Sequence, residues 1–383
     1  VATFGEQNFR LSYQTGFRIP TTQNQYIDLV TPLARLIGGL PEAYNRYGLE
    51  GNAYSRTDVA NFGAAVLRTA ADPATAQQAI ALITAQVRNQ VTAAVNAAVA
   101  AGQVPAAAAA ALIQQQIAAA LPAALQANGT AVGQAVAVNN NISSLQPYQR
   151  KEFKPERVAS YEVGYRGVIN RRLFVDAYYY YSMYKNFIGN VVLIQPTASL
   201  APGLLPLQSG VLSGNTRNVY SMPANSSERI TTSGWAIGLN YQLNKGYGLS
   251  GNIANNTLNN FTPSAELQTS GFNTPKYRWN VGFSKRSLVN SNIGFAVTFK
   301  HQDQFTWEGF AVPSEAGVPL YDNAIVPAIN NFDAQVNYKV SSLKSIVKIG
   351  ATNLFGKPYY QAYGSSYVGT TYYIGLTFDQ LLN

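Results

Sequence analysis

The chain alternates. Trp235, Ile237, Leu239, Tyr241 and Leu243 are apolar, whereas Ala236, Gly238, Asn240 and Gln242 between them are small or polar. Successive side chains of an extended strand point to opposite sides, so this run has one apolar face and one polar face. The same pattern recurs in Tyr161–Ile169, Leu173–Tyr181, Tyr277–Phe283, Ile293–Phe299, Phe332–Val340 and Tyr372–Phe378. The apolar set carries aromatic residues near its ends. Strands of a soluble sandwich average five to six residues and carry charge outside. Runs of about ten residues are what a tilted strand needs to cross a bilayer. Backbone groups in hydrocarbon must be paired, so such strands persist there only in a closed barrel. The expected fold is therefore all-β, a transmembrane antiparallel up-and-down β-barrel.

Turn chemistry divides the runs unevenly. Short polar turns fall at Asn170-Arg171-Arg172, Asn244-Lys245-Gly246, Asn290-Ser291-Asn292 and Ser342–Ser345. Long links cover 19–156, 188–229, 262–276, 309–330 and 358–368, and short and long alternate throughout. This predicts ten strands, at 7–18, 157–169, 173–187, 230–244, 247–260, 277–289, 293–308, 331–341, 346–357 and 369–379. Barrels of the outer membrane have short periplasmic turns and long external loops. That rule puts the long links outside and the C-terminus in the periplasm.

The first long link holds an alanine-rich stretch, 57–126, of helical propensity. Asp72-Pro73 reads as an N-cap followed by proline at the first helical position, and Pro105 as the opening of a second helix. Ile80, Ile83, Val87, Val91, Val95 and Val99 form one apolar stripe. The expectation is a helical insert in an extracellular loop, packed on itself or offering a face to a partner. Pro105–Gln126 is the nearest approach to a membrane helix, but Gln114, Gln115, Gln116 and Pro122 interrupt it.

Composition agrees with a lipid-facing sheet. Charged residues make up 12% of the chain, against about 25% in soluble domains. There are 25 tyrosines, apolar in body and polar at the tip, and no cysteine. The net charge of +9 is scattered, with no basic block that would suit nucleic acid. The sequence opens at Val1 with no initiator Met or signal peptide, and reads as the C-terminal part of a larger barrel.

Several segments resemble TonB-dependent receptors of the Bacteroidetes type. Phe9–Thr22, FRLSYQTGFRIPTT, resembles the family's R-x-S-x-x-x-G-F-R-x-P-T strand and exit loop. Lys154-Pro155-Glu156 with Tyr161-Glu162-Val163-Gly164-Tyr165-Arg166 resembles its K-P-E…Y-E-x-G-Y-K/R entry strand. Asn353-Leu354-Phe355 and Tyr372–Phe378 resemble its last two strands. The resemblance implies a barrel of about 22 strands with a plugged lumen, of which these would be the final ten. It implies import of a scarce nutrient, such as a siderophore, glycan, peptide or vitamin. The partners it implies are outer-membrane lipid, the receptor's own N-terminal plug, a TonB-type energy-transducing protein and a surface lipoprotein. A passive porin or adhesin-like barrel is the alternative.

No catalytic signature, metal-ligand cluster or cofactor motif is recognised, and the lone His301 follows a lipid-side run. Glu162 and Arg166, four apart, share the lumen face, as Asp176, Arg278, Lys300, Asp333 and Lys339 do on their strands. A charge on the lipid face costs about 2–4 kcal/mol at midplane, which places these residues inside or near the rims. Phe305, Trp307, Phe310 and Tyr321 are candidates for ligand stacking, or else belong to the interfacial aromatic girdle.

Overall fold

A computed structural model of the chain describes residues 1–31, 34–288, 291–308 and 324–378. It divides into two compact units, Val1–Leu33 with Lys151–Asn190 and Pro223–Asn383, and Ala34–Arg150 with Val191–Met222.

The first unit is an eleven-stranded antiparallel meander. Its strands are β1 (Ala2–Phe4), β2 (Gln7–Arg18), β3 (Glu156–Ile169), β4 (Leu173–Lys185), β5 (Ile230–Gln242) and β6 (Tyr247–Leu258). They continue through β7 (Tyr277–Lys285), β8 (Ile293–Gln302), β9 (Ile329–Val340), β10 (Ser345–Thr352) and β11 (Thr371–Phe378). The ten expected strands are all present, and β1 is an addition, folded back on β2 through Gly5. The expected bounds run long at several ends. Asn353 turns into the left-handed region (φ 52) and stops β10 at Thr352. The run 293–308 breaks at Asp303-Gln304, and Phe305–Trp307 pairs instead with Ala324–Val326.

Register sorts the side chains into rows, because directly opposed residues share a face. One row runs Ile169, Leu173, Tyr241, Leu249, Phe283, Val297, Ala334, Ala351, Tyr372, apolar across nine strands. On the opposite face Asn8, Arg166, Asp176, Gly238, Asn252, Asn280, Lys300, Asn331 form a row that is polar or glycine across eight. The apolar face is not a protein core. Leu11 is 79% exposed and Ile374 76%.

The second unit has its own core. Its helices are α1 (Arg56–Ala70), α2 (Pro73–Ala100) and α3 (Ala109–Asn141). Tyr54, Val59, Phe62, Val66, Ala137, Val138, Ile194 and Val211 pack together, drawing on both segments of the unit. Asp72 caps α2, accepting from the Ala74 amide at 2.9 Å with Pro73 next. Two expectations change. The insert does not end at Gln126, because α3 carries through Gln114–Gln116 and Pro122 to Asn141, where Val136, Ala137 and Val138 are buried. The buried stripe of α2 runs Thr75, Ala79, Ile83, Val87, Val95, and Ile80 is exposed. With its flanking turns α3 covers Ala106–Ser144, contains an 18-residue window of mean hydropathy 1.4, and is long and apolar enough by composition to cross a membrane. Burial, with Glu50 adding and Arg150 opposing, pushes the Tyr44 phenol up to about 12.

Candidate functional site: the polar face of the sheet and its rim

The two signature segments meet across β2 and β3. Arg10 lies opposite Gly164, Ser12 opposite Glu162 and Arg18 opposite Glu156. Arg10 Nε is 3.3 Å from Glu162 Oε1 and its Nη2 3.3 Å from Asp176 Oδ1 on β4, so one guanidinium ties three strands. Gly164 makes the room: a Cβ there would sit 2.4 Å from Arg10 Nε. Glu156, 7% exposed, accepts from Arg18 Nη2 at 3.1 Å and from the Ile188 amide at 2.9 Å. Each signature thus supplies one half of two cross-strand ion pairs.

All seven charged residues singled out in the sequence fall on this polar face by register. The spacing in sequence names a shared face but no partners, which the register supplies. Glu162 pairs with Arg10, not Arg166. Arg166 lies opposite Asp176 and covers the Phe174 ring at 5.2 Å. Lys300 Nζ is 2.5 Å from Asp333 Oδ2, and Asp333 Oδ1 accepts from the Asn353 amide at 3.0 Å. Arg278 is exposed opposite Gln302, and Lys339 is exposed near the short-turn end of β9. Arg10, Arg18 and Glu156 form ion pairs on this face and are absent from the residues singled out by sequence. Their signal was present in the motifs, but their partners lie far along the chain.

At the long-link end a cavity of about 370 Å³ opens on the polar side, lined by Arg18, Glu156, Tyr184, Thr232, Ser270 and Gly271 among others. Glu308 holds its wall: the Ser270 amide, the Ser270 hydroxyl and the Gly271 amide donate to Glu308 Oε2 at 2.7, 2.9 and 2.6 Å. The link over this wall is tied a second time at Glu266. Lys151 and the Ser227 hydroxyl donate to that carboxylate, as does the Ser227 amide at 3.2 Å. Burial pushes the Glu266 carboxyl up, but these hydrogen bonds and the Lys151 charge outweigh it and hold it below its usual range.

Phe305 and Trp307 are half-buried, with ring centroids 6.4 Å apart. Phe310 and Tyr321 lie outside the described residues. His301 is on the apolar face, stacked on Trp279 at 5.2 Å, and its ring nitrogens meet Asn330 Oδ1 at 2.7 Å and Asp303 Oδ1 at 3.1 Å. It shares the apolar face with other aromatic pairs, Tyr13 with Tyr161 and Tyr247 with Phe283.

The geometry defines a sheet with one face for hydrocarbon and one for water or protein. Residues 109–354 match the model of the TonB dependent receptor-like, beta-barrel family. The chain belongs to this family, whose barrels lie in the outer membrane. Among solved structures it is similar to the FrpB iron transporter from Neisseria meningitidis (F3-3 variant; 16% identity, 59% of this chain, 31% of that one, TM-score 0.38). It is also similar to the siderophore receptor PirA from Acinetobacter baumannii (15%, 59%, 32%, 0.39) and the ferric-catecholate import receptor Fiu from K12 E. coli (14%, 58%, 28%, 0.38). The chain thus spans about a third of the length of these structures. No curated protein matches the sequence.

Proposed function

We propose that this sheet is wall of an outer-membrane import receptor, the last part of a barrel of about 22 strands. One observation carries the reading: an uninterrupted apolar row across nine strands, backed on the other face by a polar row across eight. A porin-like wall would share the apolar row. Membership of the receptor family favours energised import over passive flow. The substrate is a scarce nutrient in the class of siderophores, glycans, peptides or vitamins. Glu162, Arg166, Asp176, Arg278, Lys300, Asp333 and Lys339 then face the lumen, where the receptor's own plug supplies complementary groups. A TonB-type protein delivers force to that plug. The motifs of β2 and β3 favour the Bacteroidetes type, in which a surface lipoprotein would assist capture.

The long links face outward in this reading, the helical unit lies outside the cell, and the C-terminus is periplasmic. The absence of cysteine makes orientation measurable. Gln103→Cys, between α2 and α3, should react with an impermeant maleimide on intact cells, and Lys245→Cys, in a short turn, only after permeabilisation. The transport test is uptake by the complete receptor in a deletion strain across nutrient classes. Uptake that persists after the inner-membrane proton gradient is collapsed would establish the passive alternative.

A further inference from the structure

Three cations stand in one row on the lipid-facing side. Arg157 of β3 is directly opposite Lys185 of β4. Arg229 immediately precedes Ile230, which pairs with Tyr184, so the same register sets Arg229 beside Lys185. Phe17 completes the row on β2. Like charges directly opposed on a sheet repel. Among the described residues none of the three has a carboxylate within ion-pair distance. Together with Phe17, Ala159 and Met183 they line a cleft of about 880 Å³, and no carboxylate lines it.

Depth identifies the occupant. The row of Tyr13, Tyr161 and Tyr181 is four residues nearer the sheet centre, about 13 Å along a strand. Tyrosine marks the headgroup boundary of a membrane. The cations therefore lie just beyond it at the long-link end, with apolar Phe17 and Met183 beside them. An anion there would remove the repulsion, and one attached to acyl chains would also occupy the apolar part of the cleft.

We propose that Arg157, Lys185 and Arg229 bind the phosphorylated headgroup of a glycolipid in the outer leaflet. The proposal rests on the orientation given above. The test uses the complete receptor in zwitterionic detergent, titrated with bisphosphorylated lipid A, dephosphorylated lipid A, phosphatidylglycerol and inorganic phosphate, with bound lipid counted by native mass spectrometry. The triple variant Arg157→Gln, Lys185→Gln, Arg229→Gln should bind bisphosphorylated lipid A at least tenfold more weakly. Lys185→Arg should bind as the natural protein does, and so should Arg171→Gln with Arg172→Gln at the short-turn end. Heat-modifiable migration of the triple variant excludes misfolding as the cause, and a triple variant that fails it is replaced by Lys185→Gln alone, expected to lose about threefold. Equal binding by the triple variant overturns the site. So does equally tight binding of dephosphorylated lipid A, phosphatidylglycerol or free phosphate by the natural protein. If Gln103→Cys is shielded on intact cells, the orientation fails and takes the outer-leaflet source with it. If it is labelled and the triple variant loses nothing, only the headgroup site fails.

Discussion

At the residue scale, Gly164 and Arg10 act as one device. The glycine leaves a hollow over the sheet, and the guanidinium that fills it holds Glu162 and Asp176. Gly164→Val should push the guanidinium out and destabilise the barrel by about 1–3 kcal/mol, read as a lower temperature for loss of the compact band on gels. Because the same contacts are lost, adding Arg10→Met to Gly164→Val should cost less than Arg10→Met alone, a coupling that a double-mutant cycle measures. Full additivity would mean that the two residues act separately. Asn353 is a second such device. Almost fully buried at positive φ, it donates its amide to Asp333 and its side-chain NH2 to the Lys357 carbonyl at 3.2 Å, and its own carbonyl accepts from Thr370. Asn353→Ala should cost about 1–3 kcal/mol, the penalty for stranding the Lys357 carbonyl, and should raise hydrogen exchange at the Gly356 amide, which donates to the Asn353 carbonyl across this turn. Arg10 shows why such roles are hard to read in a sequence. Its second carboxylate is 166 residues away, and only the strand register brings the two together.

At the scale of elements, the strands were legible because a period of two fixes which side chains share a face, whatever the register. Their ends were not. The stop at Thr352 depends on one left-handed residue, and the break at Asp303-Gln304 on a new pairing partner. The helices were legible in part. Capping at Asp72 is local chemistry, but the continuation of α3 past Pro122 depends on burying Val136, Ala137 and Val138 against α1 and its neighbours. The rim cavity was not legible, since its wall is a link held by Glu308 and Glu266. The Glu266 tie gives a pH dependence. Its carboxyl is held below the usual range in the folded chain, so the stabilisation is complete above the unfolded value and is lost as pH falls through the lower, folded one. Exchange at the Ser227 and Leu267 amides, corrected for intrinsic rates, should therefore rise between pH 6 and pH 3. Glu266→Gln should show the raised exchange already at pH 6. Corrected rates that stay level over that interval would mean that packing, not charge, holds the link.

At the scale of the molecule, the sheet is open. The strand order runs from β1 to β11 without return. Among the described residues β1 covers β2 only from Gln7 to Phe9, so the outer edge of β2 beyond that point has no strand partner for its N–H and C=O groups, nor has the free side of β11. In hydrocarbon each unpaired group costs several kcal/mol. An edge of nine residues is therefore incompatible with a bilayer, whereas the apolar rows between the edges require one. In the function proposed above, further strands joining β2 and β11 resolve the conflict. Residues 1–383 refolded alone into liposomes should give neither a heat-modifiable band nor single-channel conductance, while the complete receptor under the same conditions should give the band. Co-refolding the chain with the remaining strands of its receptor, supplied as a separate polypeptide, should restore the compact band, because the missing partner is backbone rather than any particular side chain. A conducting, heat-modifiable product from residues 1–383 alone would mean that β2 and β11 close on each other. The molecule would then be a small self-contained barrel, with a lumen too narrow for the imported nutrient proposed above.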